Sequence, residues 1–195
     1  MDRTYPWQSY LLLGFLALTL TACTEQLSQP MPDSYGGLPT YHGEAPYSQS
    51  FNEEKYASLL PQTIPNKEKV ILVDPKVFAW GAYDKGHLVR AGIASAGANY
   101  CPDEGGPCRT DPGTFRIFKL GDVSCVSHKY PIGGGGSLMP YCMFFNGGQS
   151  LHGTPDQMMG EEHASHGCIR MRIPDAEWIR YNFARVGTKV VVLPY

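Results

Sequence analysis

Between Val70 and Leu193 the chain is cut into apolar runs too short for most helices, each closed by residues that turn a backbone. Val70-Ile71-Leu72-Val73 stops at Asp74-Pro75, and Val77 to Tyr83 and His87 to Ile93 flank Asp84-Lys85-Gly86. Tyr141 to Phe145 and Gln149 to His152 flank Asn146-Gly147-Gly148, and Thr188 to Leu193 follows Gly187. Runs of this length between Gly, Pro, Asn and Asp read as strands, and the Gly-containing connections read as hairpins. The second hairpin delivers His152 at a strand end. Thr114 to Leu120 alternates too imperfectly to assign a face. One segment has a different period: Pro174 suits a first helical position, and Ala176, Ile179 and Phe183 recur at helical spacing before Gly187. The pattern predicts a mainly β domain with one main helix near the C-terminus. Gly133 to Gly136 reads as a flexible loop, because no Lys-Ser/Thr and helix follow it as a phosphate cradle requires.

The first fifty residues follow other rules. Leu11 to Leu20 is an apolar run broken only by Gly14 and Thr19, too short for a bilayer core of about 30 Å and suited to the apolar region of a signal peptide. Its charged flank is weak, since Asp2 offsets Arg3. Leu20-Thr21-Ala22-Cys23 resembles a bacterial lipobox, which implies removal of residues 1–22 and lipidation of Cys23. Several acyl chains hold a protein at a membrane where one is marginal. By the same likeness Thr24, which is not Asp, points to the periplasmic face of the outer membrane. Residues 23–50 are rich in Ser, Gln, Pro, Tyr and Gly without periodicity and read as a tether spanning roughly 30 Å. Residues 51–69 read as a lead-in, with a short helix over Phe51 to Leu60.

With Cys23 set aside, five cysteines remain, and an odd count in an exported protein points to one free thiol. Cys101, Cys108, Cys125 and Cys142 allow three pairings. Cys101 with Cys108 and Cys125 with Cys142 are favoured because each closes a local loop, stabilising by about 2.5 and 3 kcal/mol in the chain-entropy model. A chain 43% apolar and 17% charged suits one globular domain. A net charge of -2 without a basic cluster argues against nucleic acid, whose binding needs cations to displace phosphate counterions.

The remaining thiol, Cys168, lies in Ser165-His166-Gly167-Cys168-Ile169-Arg170, with His152-Gly153-Thr154 upstream. A thiol attacks carbonyls as its thiolate, and a neighbouring imidazolium favours that form, so an ionised Cys168 beside His152 is expected. His152 accepts the thiol proton and later returns one. Gly167 removes a side chain beside the nucleophile, and the Gly167 and Cys168 amides are candidate donors to an oxyanion. His166 has two readings, a role toward substrate or bracing of the loop, and Ser165 reads as structural. Arg170 either holds a substrate carboxylate or pairs with an acid inside the fold. Tyr141, Phe144 and Phe145 are candidates to line the cleft. His152, His163, His166, Cys142 and Cys168 are chemically able to bind zinc, but their spacing matches no usual zinc pattern, so no metal is expected.

His-Gly-Thr, twelve intervening residues after His152, then Ser-His-Gly-Cys-Ile-Arg resembles the motif of the L,D-transpeptidase catalytic domain, the YkuD family. The likeness extends over nearly all of residues 70–195. One departure is Thr110-Asp111-Pro112-Gly113-Thr114-Phe115, where the family often has Thr-Pro-x-Gly-x-Phe. The resemblance implies a small β-sandwich whose site lies where the Cys-bearing turn meets the His-bearing strand, with the Gly153 carbonyl orienting His152. It implies no cofactor. It also implies acyl transfer on peptidoglycan tetrapeptide stems: Cys168 displaces the terminal D-alanine, and an amine, from another stem or a cell-wall lipoprotein, takes the acyl group. Water as acceptor makes the reaction an L,D-carboxypeptidase. A surface lipoprotein that binds cell wall or host material without turnover is the alternative from another class.

Overall fold

The computed structural model describes residues 53–195. The signal peptide, Cys23, the tether and Phe51 lie outside them. Among the described residues nine strands form two sheets. The first has five: β1 (Val70–Asp74), β2 (Ala79–Asp84), β3 (His87–Ile93), β4 (Gly113–Arg116) and, last in the chain, β9 (Lys189–Val192). Their order is β3-β2-β1-β9-β4. The second sheet runs β5-β6-β7-β8, from β5 (Lys119–Leu120), β6 (Met143–Asn146), β7 (Gln149–Thr154) and β8 (Ile169–Arg172). Helix α1 is Glu53–Ser58, and α2 is Ile173–Trp178. A wider turn, Ile179–Phe183, prolongs α2. The protein is mainly β with one main helix near the C-terminus.

Why β1 is apolar at four successive positions is answered by its two faces. Ile71 and Val73 point into the core between the sheets, with Trp80, Met143, Phe145, Leu151, Ile169, Met171 and the α2 residues Ile173 and Ala176. Val70 and Leu72 point the other way, into a second cluster that Tyr56 and Leu60 of the lead-in cover. A strand buried on both faces loses polar alternation. The lead-in is therefore part of the fold: Thr63 bridges His87, Leu88 N–H donates to Gln62 O, and the Tyr83 hydroxyl donates to Pro61 O at 2.8 Å.

Two local readings are corrected. Thr114 to Leu120 is not one strand: the chain leaves the first sheet after Arg116 and enters the second at Lys119, so its alternation restarts. His152 is not at the end of its strand, since β7 runs on to Thr154. The hairpin turns are as their glycines require, with Lys85 and Gly86 at φ 51° and 86° and Gly147 at φ 51°. The Gly133–Gly136 loop is stitched by backbone bonds, Gly136 N–H to Ser127 O among them. Disulfides Cys101–Cys108 and Cys125–Cys142 close the two long loops, and Cys168 is free.

Candidate active site

β7 and β8 pair in parallel with Leu151 opposite Ile169 and His152 opposite Arg170. Side chains alternate along a strand, and laterally paired residues share a face. Leu151, Ile169 and Met171 fill the core, so Ser150, His152, Cys168 and Arg170 face away from it. The Cys168 Sγ is half-exposed, 3.6 Å from Ser150 Oγ and 3.7 Å from Gly148 O. Among the described residues no hydrogen bond links Sγ directly to His152. Such bonds are often long in unliganded sites and tighten only with substrate.

His152 is buried, and its Nδ1 lies 2.9 Å from Gly153 O. A carbonyl only accepts, so Nδ1 carries the hydrogen and Nε2 keeps the lone pair. Burial pushes the His152 pKa down to about 4; Gly153 O opposes the shift and the Arg170 cation reinforces it. The ring is neutral at pH 7. This corrects the expected imidazolium: His152 is poised to take a proton, not to hold one.

Arg170 pairs with no acid among the described residues, which disposes of the internal ion pair. Burial pushes its guanidinium below the ordinary arginine value, against the pull of Cys168 and Glu162. It remains a cation at neutral pH, half-buried on the same face of the sheet as the thiol. Its backbone is fixed by exchange with Ser95, N–H to O at 2.7 Å and back at 3.0 Å.

The turn before Cys168 is braced from within and from outside. Ser165 Oγ accepts from Gly167 N–H at 3.2 Å and donates to the Cys168 carbonyl. The Ser165 hydroxyl is thus spent on the turn itself, and the Gly167 N–H already has an acceptor. The Cys168 N–H has no acceptor among the described residues. His166 turns away from the thiol: its Nε2 lies 2.8 Å from both carboxylate oxygens of Asp103, and its ring stacks on Tyr130 at 4.3 Å. Asp103 sits in the Cys101–Cys108 loop, where its neighbour Glu104 binds the Tyr130 hydroxyl and Lys129. Both disulfide-closed loops thus meet at His166, which favours the bracing reading.

Of the aromatic candidates, Phe145 is core, Phe144 is half-buried on the site face opposite Ser150, and the Tyr141 hydroxyl binds Glu177. The zinc-capable residues named from the sequence do not converge. Cys101, Asp103 and His166 do, but the Cys101 sulfur is bonded to Cys108 and is no ligand. Ser150 was missed in the sequence; its place two residues before His152 on one strand is the signal for it.

The sequence profile of the YkuD L,D-transpeptidase catalytic domain matches residues 68–192. The chain belongs to that family. Solved L,D-transpeptidases share its fold. The one from Xylanimonas cellulosilytica (residues 123–326) is 23% identical over 80% of this chain and 74% of that one, with a TM-score of 0.58. An L,D-transpeptidase from Mycobacterium smegmatis is 24% identical over 65% and 59%, with a TM-score of 0.53. L,D-transpeptidase 3 from Mycobacterium tuberculosis, with a faropenem-derived adduct, is 19% identical over 65% and 60%, with a TM-score of 0.54. The chain thus spans about three-fifths of the two mycobacterial structures. No curated sequence matches it.

Proposed function

We propose that this protein is a peptidoglycan L,D-transpeptidase that works by cysteine acyl transfer on tetrapeptide stems. The observation that carries the reading is the free, half-exposed Cys168 on the same sheet face, turned away from the core, as the neutral, carbonyl-oriented His152. His152 Nε2 takes the thiol proton as sulfur attacks the carbonyl of the third stem residue. The tetrahedral oxyanion collapses, the amine of D-alanine leaves with the proton from His152, and a thioester remains. An acceptor amine then loses a proton to His152 as it attacks, and the Cys168 thiol is regenerated. Arg170 offers a bidentate partner to a substrate carboxylate. The chemistry calls for no cofactor.

Export and lipidation of Cys23, with residues 23–50 as tether to the periplasmic face of the outer membrane, belong to the same proposal and rest on the sequence. Among the described residues no helix is long and apolar enough to cross a membrane. The mass of the mature N-terminus, beside a Cys23→Ala variant, tests this part.

The central test is incubation with defined tetrapeptide muropeptides, read by mass spectrometry beside Cys168→Ala. D-Alanine release with an acyl adduct on Cys168 is expected. Products with and without an added amine acceptor separate transfer from hydrolysis. A folded protein giving neither D-alanine nor adduct is a binding lipoprotein instead.

A further inference from the structure

Thr110 opens the stretch whose proline is displaced from the family pattern, and the chemistry above gives it no task. It is fully buried, on the loop that follows Cys108. Its Oγ1 accepts from Gly97 N–H at 3.0 Å and donates to the Gly167 carbonyl at 2.9 Å. Its own N–H donates to the hydroxyl of Tyr195 at 3.1 Å, and that hydroxyl donates to Gly97 O at 2.9 Å. Gly97, Thr110 and Tyr195 therefore form a closed hydrogen-bonded ring with one arm reaching the turn before Cys168.

That arm grips one end of a particular peptide group. In a trans peptide the C=O and N–H point in opposite directions, so fixing the Gly167 carbonyl also fixes the direction of the Cys168 N–H. Gly167 sits at φ 106°, a region glycine enters readily, and with no Cβ at Gly167 its ψ, through which the Gly167–Cys168 peptide turns, is little restricted by sterics. Ser165 already holds the Gly167 N–H. Among the described residues the His166 and Cys168 N–H groups of this turn have no acceptor, and the Cys168 N–H belongs to the peptide whose carbonyl Thr110 holds.

We propose that Thr110 is the positioning residue of the oxyanion site: its hydroxyl anchors the Gly167 carbonyl and thereby aims the Cys168 N–H at the oxygen that becomes negative when Cys168 attacks. Tyr195 supports it by holding Gly97 and the Thr110 backbone. The assignment rests on the acyl-transfer reading above.

The test compares Thr110→Val, which keeps the volume and removes the hydroxyl, with Thr110→Ser, which keeps the hydroxyl. Each is assayed for D-alanine release and for alkylation of Cys168 by iodoacetamide, a displacement that develops no oxyanion. Thr110→Val is expected to lower kcat about a hundredfold with little change in KM, because the interaction exists only in the transition state. Alkylation should stay within about twofold of the unsubstituted protein, and Thr110→Ser should recover most of kcat. Tyr195→Phe, a milder change at the chain's last residue, should lower kcat roughly tenfold or less with alkylation again preserved, and it carries the test if Thr110→Val does not fold. The proposal is overturned if the folded variants keep kcat within roughly threefold, or if alkylation falls in parallel with acylation, which would mean a displaced thiol. An unsubstituted protein that alkylates but releases no D-alanine overturns the acyl-transfer reading itself, and this proposal with it.

Discussion

His152 and Arg170 sit opposite one another in the parallel register of β7 and β8, so a guanidinium lies beside the candidate base. The cation repels a proton from the imidazole. The arginine thus adds to burial in keeping His152 neutral, and makes it a weaker proton acceptor.

The acid limb of the kcat/KM profile should therefore fall near pH 4, the pKa of His152, and not near the usual histidine value of about 6.5. Arg170→Gln should move that limb upward, since it removes one of the two causes of the depression. Burial, the larger cause, remains, so the limb should stay below the usual value. A profile that does not move would leave Arg170 without electrostatic influence on His152.

Stability should carry the same signature. The folded pKa of about 4 lies below the reference 6.5, so on acidification the unfolded chain binds the proton first. The contribution is complete above about pH 6.5 and is lost as pH falls toward 4, amounting to about 3 kcal/mol. Asp175, whose carboxyl burial pushes up, works in the opposite sense in acid. Urea midpoints of the unsubstituted protein and His152→Gln across this range isolate the histidine: the gap between them should shrink as pH falls.

Replacing Cys101 and Cys108 together by alanine should lower stability by about 2.5 kcal/mol. It should also lower D-alanine release, because the loop carries Asp103, which holds His166 in the turn before the nucleophile. Thermal melts and the release assay, run on the same preparations, read the two effects separately. An unchanged rate would mean that the loop does not support the turn.

Arg90 and Asp175 form an ion pair at 3.0 Å between β3 and α2, with the carboxylate almost wholly buried. Arg90→Met strands that carboxylate and should destabilise by about 3 kcal/mol at pH 7. Asp175→Asn in the same chain should recover part of the loss. In acid the single variant should lose less, since Asp175 then takes up a proton.

Much of the fold was legible because strand runs and turns are local. Val70–Val73, the Asp84-Lys85-Gly86 and Asn146-Gly147-Gly148 turns and the Pro174 helix start were all readable within a few residues. The imperfect alternation of Thr114 to Leu120 was a true signal of a different kind, a change of sheet, but only the partners of each half reveal it. The cysteine pairs that close the shortest loops are the pairs formed.

The chain's order alone determined which atoms carry the candidate chemistry: a leftover thiol at Cys168, a histidine at His152, and a glycine that lets the turn between them form. The tertiary structure decided their states. Desolvation made His152 neutral, Ser165 claimed the Gly167 amide, Asp103 drew His166 aside, and Thr110 reached in to hold the Gly167 carbonyl. Each of these except the Ser165 contact depends on groups distant in sequence, and protonation and hydrogen bonding respond to what lies within a few ångströms, wherever in the chain it began.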